Sequence, residues 1–192
     1  MIRIVLTKGE KNLDAIFERV YYEDSYVRIR TMCDADAAFF CREEQLQGWH
    51  ATEEKYRGRI RDAQAGRALA LTAEFGGVPA GYVSLYFEAS AGPFAGSGLP
   101  EIVDFGVLEK MRRRGVGSRL MDAAEALAAQ RADVVTIGVG MHSGYGSAQR
   151  MYVKRGFIPD GSGVWFQDKP ATPYGQVENG DGLVLYLSKR LR

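Results

Sequence analysis

The sequence predicts an α/β (α+β) domain, a mixed sheet flanked by helices. Three observations predict it. Two β-type runs, Ala68–Phe75 and Ala80–Glu88, are separated by a Gly-Gly-Val-Pro turn. A strand, a glycine loop, a helix and a second strand follow one another from Glu101 to Val139, the order of a βαβ unit with a right-handed crossover. Helix-like stretches stand before and after these segments. The 192 residues, 46% hydrophobic and 26% charged, suffice for one compact domain whose core needs no disulfide or metal.

The elements can be justified in chain order. Ile2 to Leu6 is a short β-type run, and in LDAIFERVYY the apolar residues Leu13, Ile16, Phe17 and Val20 recur at helical spacing, so residues 1–25 are expected to form an accessory strand and helix. The main domain is expected to span residues 26–192. It opens with Tyr26 to Arg30, where Val27 and Ile29 share one face of a half-buried strand. Asp34 to Gln47 and Thr52 to Ala65 read as a helical pair, the second with Thr52 as N-cap and Glu53 and Glu54 in its first turn, where acids are favourable. After the glycine hairpin, Ala89 to Pro100 is a Gly/Pro/Ser-rich loop, and Glu101 to Leu108 is apolar on both faces, as a central strand is. Ser118 to Arg131 places Leu120, Met121, Ala124 and Leu127 on a helix, and Val134 to Val139 is the next strand. A short helix, Ser147 to Arg155, ends at Gly156, and two last strands enclose a polar loop from Gln167 to Asp181.

Composition excludes several classes of function. Lysine and arginine number 25 against 24 acidic residues, and a formal charge of +1 supplies no global field for nucleic acid or a membrane surface. Cys33 and Cys41, with only His50 and His142 to supplement them, fit no zinc spacing and read as thiols of a reducing cytoplasm. The chain start lacks the apolar stretch of a signal peptide, and no apolar run reaches the length of a membrane span. A cytoplasmic protein is expected.

The chemistry-bearing residues are fewer. In Arg112, Arg113, Arg114, Gly115, Val116, Gly117 the glycines permit a tight turn that exposes N–H groups at a helix start, a cradle for a pyrophosphate, and Ser118 follows. The loop lacks the Lys-Ser/Thr of a P-loop and the three-glycine spacing of a dinucleotide loop. Further on, AQRMYVKRGF places Tyr152 on a helix, where a hydroxyl can protonate a departing thiolate or merely pack by its ring.

Together and in this order, the two features resemble the GNAT superfamily of N-acetyltransferases. Arg112, Gly115 and Gly117 match its coenzyme A pyrophosphate pattern, and Ala148, Tyr152, Gly156 and Phe157 match its later motif. The resemblance runs from about Tyr26 to Arg192 and implies a mixed, mostly antiparallel sheet of about seven strands, splayed between the fourth and fifth. It implies acetyl-CoA as cosubstrate and no metal. The pantetheine arm would pair with Phe105, Gly106 and Val107, an N–H there would stabilise the oxyanion, and Tyr152 would be the general acid. Where many members carry asparagine, this chain has Tyr145, which either stacks or points at substrate.

The acceptor amine must lose a proton before it attacks, so a carboxylate is expected, and Glu101 and Asp104 both qualify. Alternation places them on opposite strand faces. The late loop carries Asp160, Asp168, Glu178 and Asp181 with Trp165, Phe166 and Tyr174, which would suit a small cationic amine such as an antibiotic or polyamine. A peptide or protein amine, and a non-catalytic acetyl-CoA-binding module, remain open. The N-terminal extension either packs across a homodimer or covers a sheet edge.

Overall fold

The computed structural model describes residues 19–191. The expected strand Ile2 to Leu6 and most of the expected helix after Leu13 lie outside the described residues. The end of that helix is corrected. Val20–Glu23 is strand β1, antiparallel to β2 (Val27–Thr31), with Tyr22 opposite Ile29 and Glu23 opposite Arg28. Val20, Tyr21 and Tyr22 suit an extended chain, and pairing with β2 supplies its hydrogen bonds. Asp24 then closes the turn by accepting the N–H groups of Tyr26 at 2.9 Å and Val27 at 2.8 Å.

The chain continues through helices α1 (Asp34–Leu46) and α2 (Glu53–Gln64), strands β3 (Ala68–Phe75), β4 (Val78–Tyr86) and β5 (Glu101–Val107), then α3 (Val116–Ala128). Strand β6 (Val134–Gly140), helix α4 (Gly146–Lys154) and strands β7 (Ile158–Phe166), β8 (Lys169–Pro170) and β9 (Leu183–Arg190) complete it. The sheet is mixed and mostly antiparallel; β1 and the two-residue β8 bring the strands among the described residues to nine. Two compact units divide these elements: Met1–Leu85 with Asp104–Ala126, and Tyr86–Val103 with Leu127–Arg192.

In the first unit the strands follow the order β1-β2-β3-β4-β5. Gly76 and Gly77, at φ 59° and 79°, form the tight β3–β4 turn, and Val78 and Pro79 belong to β4 rather than to the turn. Met32, Phe40, Tyr56, Ile60, Tyr82 and Leu108 make one buried cluster under α1 and α2. The start of α1 is fastened to the sheet by buried Arg30, whose guanidinium donates to Asp36 at 2.7 and 2.9 Å and to Glu74 at 2.7 Å. Thr72 donates to the same Asp36 carboxylate at 2.9 Å.

In the second unit the order is β5-β6-β9-β7-β8. An antiparallel β6–β9 ladder runs from Val134 opposite Arg190 to Gly140 opposite Val184, burying Ile137, Val139, Tyr186 and Leu187. The parallel β5–β6 ladder covers Glu101 and Ile102 only. Gly156, at φ 88°, terminates α4 in the left-handed region expected of it.

Candidate active site

The loop before α3 belongs to the first unit. Arg113 and Gly115 take φ of 59° and 81°, and the first bond of the helix is Arg119 N–H to the Gly115 carbonyl at 3.0 Å. The N–H groups of Val116, Gly117 and Ser118 therefore face out of the helix start, where the dipole is positive and no acid stands in the first turn. Gly115 is open: a Cβ there meets nothing within 4 Å. Gly117 is glycine for a different reason, since its Cβ would stand 3.2 Å from Phe105 and 3.4 Å from Val107, so the residue lets α3 pack closely on β5. Arg112 and Arg114 turn to different neighbours. Arg112 lies 5.3 Å over the Trp49 ring and pairs with Glu109, while Arg114 lies 5.1 Å over Phe75.

Phe105, Gly106 and Val107 occupy the end of β5. A Cβ on Gly106 would stand 2.7 Å from the Tyr82 hydroxyl, and one on Gly81 would stand 2.6 Å from the Gly106 carbonyl, so β4 and β5 approach through paired glycines. Just before them, Asp104 adopts φ 52°. This left-handed residue interrupts the strict alternation from which opposite faces were expected for Glu101 and Asp104. Asp104 is held by Arg59 Nε at 2.5 Å, with Lys55 Nζ at 4.0 Å.

A second group of residues, which sequence reasoning missed, lies beside it in the same unit. Glu44, 2% exposed, accepts hydrogen bonds from Tyr82 at 2.5 Å and Tyr56 at 2.6 Å. Burial first, then the Glu44 charge, push the Tyr82 hydroxyl well above the ordinary tyrosine range, and Tyr56 is raised by burial and its hydrogen bond to Glu44. Both phenols stay protonated. The available signal was Glu44 itself, an acid continuing the Ala37, Phe40, Cys41 stripe on the buried face of α1.

Glu101 and Tyr152 belong to the second unit. Glu101 is buried at the start of β5, opposite Thr136. Tyr152 is 4% exposed, its ring 5.9 Å from Phe157, and burial followed by the influence of Tyr145 raises its hydroxyl well above the usual value. Tyr145 packs on Gly140 and donates to Asp181 at 2.9 Å; His142 lies 3.1 Å from the same carboxylate. Asp168 accepts the Gly92 N–H at 3.0 Å. Asp168 and Asp181, which the sequence suggested would suit a cationic ligand, also fasten their loop through these contacts. Among the described residues no three His, Cys, Asp or Glu side chains are grouped as a metal centre, and no helix is long and apolar enough to cross a membrane.

The family model described as Acetyltransferase (GNAT) family matches residues 29–157. Solved structures share the fold. RimL, a ribosomal L7/L12 alpha-N-protein acetyltransferase, is 13% identical with a TM-score of 0.68, covering 95% of this chain and 99% of its own. YncA from Salmonella typhimurium, solved with its cofactor acetyl-CoA, is 18% identical with a TM-score of 0.62 over 88% of this chain and 95% of that one. Ard1 from Thermoplasma volcanium is 19% identical with a TM-score of 0.63 over 86% and 97%. No curated protein sequence matches.

Proposed function

The chain belongs to the acetyltransferase (GNAT) family, and from that premise we propose that it acetylates a primary amine of a small cationic molecule. Acetyl-CoA supplies the activated acyl group as a thioester. The residues present fit it. The start of α3 offers three outward N–H groups and an open left-handed glycine to a pyrophosphate. Arg112, Arg113, Arg114, Gly115, Val116, Gly117 and Ser118 are assigned to that group. The β5–β6 ladder, confined to Glu101 and Ile102, is the observation that supports assigning Phe105, Gly106 and Val107 to the pantetheine arm.

Tyr152 is assigned the proton that neutralises the departing thiolate. Burial keeps it protonated through the neutral range, the state a donor requires. Glu101 and Asp104 are assigned the acceptor side, where one takes up the amine proton. Asp104, fixed by Arg59, is suited to orient a cation, and Glu101, buried at the start of β5, is the other carboxylate assigned to the amine proton. A cationic acceptor is supported by Glu44, which holds Tyr56 and Tyr82 by their hydroxyls, and by Asp104, for both carboxylates lie 4.0 Å from one ammonium, that of Lys55. We take residues 26–192 as the catalytic domain, with β1 as the last element of an accessory segment over residues 1–25, and place the enzyme in the cytoplasm.

A second reading, transfer to a protein N-terminus, is favoured by the likeness to RimL over nearly the whole chain. One experiment separates them: thiol release from acetyl-CoA, measured against a panel of polyamines, aminoglycosides and N-terminal peptides. Turnover on the peptides alone would replace the small-molecule reading, and binding without any turnover would leave a coenzyme-binding module.

A further inference from the structure

Resting on the reading that acetyl-CoA lies along the end of β5, we propose that Lys55 is an acetylation site, modified in cis by the chain's own machinery. Lys55 stands in the first turn of α2, where its N–H is received by the Thr52 hydroxyl at 3.3 Å. Its ammonium donates to the Tyr82 hydroxyl at 3.1 Å, lies 4.0 Å from both Glu44 and Asp104, and sits 5.1 Å from the centroids of the Tyr56 and Tyr82 rings. A primary alkylammonium therefore already occupies the box of acids and tyrosines. The Tyr82 hydroxyl that receives it is also the atom 2.7 Å from the Cβ position of Gly106, on the segment assigned to the pantetheine arm. With its side chain 31% exposed, Lys55 is neither locked in the core nor free in solvent. Lys110 differs: it is 57% exposed and pairs with Glu43.

The contacts also provide a route for the proton. The Lys55 ammonium gives one proton to Tyr82 as Tyr82 passes its own to Glu44, along hydrogen bonds of 3.1 and 2.5 Å. The neutral nitrogen forms a bond to the acetyl carbon, the carbon–sulfur bond breaks, and the sulfur leaves with its electron pair. The nitrogen then sheds a second proton to become an amide while the thiolate takes one up, so coenzyme A leaves as the thiol and the Glu44 proton passes to solvent. The product lysine is neutral and no longer pairs as a cation with either carboxylate.

The test incubates the full chain with acetyl-CoA and follows intact mass and peptide mapping. Expected is one acetyl group, on Lys55, gained at a rate per molecule independent of protein concentration. Glu44→Gln and Tyr82→Phe should slow it by about a hundredfold. Lys55→Arg keeps the cation and should keep the melting shift with acetyl-CoA while gaining no acetyl at this position. A normal melting shift with Lys55 unmodified overturns the proposal and leaves the coenzyme reading standing, and so does acetylation spread evenly over the lysines. A rate that rises with protein concentration overturns transfer in cis. Absence of any melting shift with acetyl-CoA overturns the coenzyme reading, and this proposal with it.

Discussion

Gly115 and Gly117 stand two residues apart and are glycine for different physical reasons, so alanine should separate them. Gly115→Ala meets no neighbour but must hold φ 81°, which costs about 1 to 2 kcal/mol and should weaken coenzyme binding along with stability. Gly117→Ala drives a methyl group toward Phe105 and should cost about 1 to 3 kcal/mol by overpacking. Denaturant unfolding checks both, and Phe105→Leu should rescue the second substitution only, because the two residues share one contact. Tyr152→Phe should lower kcat by about 10²- to 10⁴-fold with little change in coenzyme affinity. Because its hydroxyl pKa is raised, the rate should not fall near the ordinary tyrosine value of 10, and a pH–rate profile showing loss there would remove the assigned role. The positions of these residues were legible in the sequence as motifs. The burial of Tyr152 and the packing duty of Gly117 were not, because both depend on neighbours that only folding supplies; those of Gly117 are Phe105 and Val107 of β5.

At the scale of elements, the attachment of α1 to β2 and β3 through Arg30, Asp36, Glu74 and Thr72 is a buried charge network. Removing one partner strands the other, so Arg30→Ala should cost about 3 to 5 kcal/mol, measured by denaturant unfolding. Replacing Arg30 and Asp36 together by apolar residues should cost less than the single change. Burial raises the Asp36 carboxyl, yet the Arg30 hydrogen bond and charge and the Cys33 N–H outweigh it and leave it below the ordinary value. Most elements were legible because hydrophobic periodicity and turn residues are local signals: α1, α2 and β3 lie where they were expected, and the hairpin turn falls on the first two of the four residues expected for it. The error at Val20–Glu23 has a physical cause. Val20 continued a helical spacing, but an extended chain there satisfies its hydrogen bonds by pairing with β2, and periodicity carries no information about that partner.

For the whole molecule, the near-zero net charge means that pH acts on stability through particular carboxylates rather than through global repulsion. Asp24 is lowered from 3.8 to about 2 by the Tyr22 hydroxyl and by the N–H groups of Val27 and Tyr26, and Asp36 is lowered as well. A carboxylate depressed in the folded state contributes fully above its unfolded value and loses that contribution as pH falls through the folded one. Thermal stability should therefore hold from neutral pH to about 4 and decline toward pH 2, with Asp24→Asn flattening part of the decline. Acetyl-CoA at a hundred times its dissociation constant should add about 2.7 kcal/mol, read as a rise in melting temperature. The sequence by itself determined the class of fold, the order of its main elements from β2 onward, and the glycine loop and tyrosine that resemble the family's motifs, since all of these are written in short spacings. Tertiary structure alone decided that Asp168 and Asp181 hold their own loop, that Asp104 turns in the left-handed region under Arg59, and that Glu44, Lys55, Tyr56 and Tyr82 meet. Those four residues come from α1, α2 and β4, and side chains so far apart in the chain acquire a common environment only when buried apolar surface has brought their elements together.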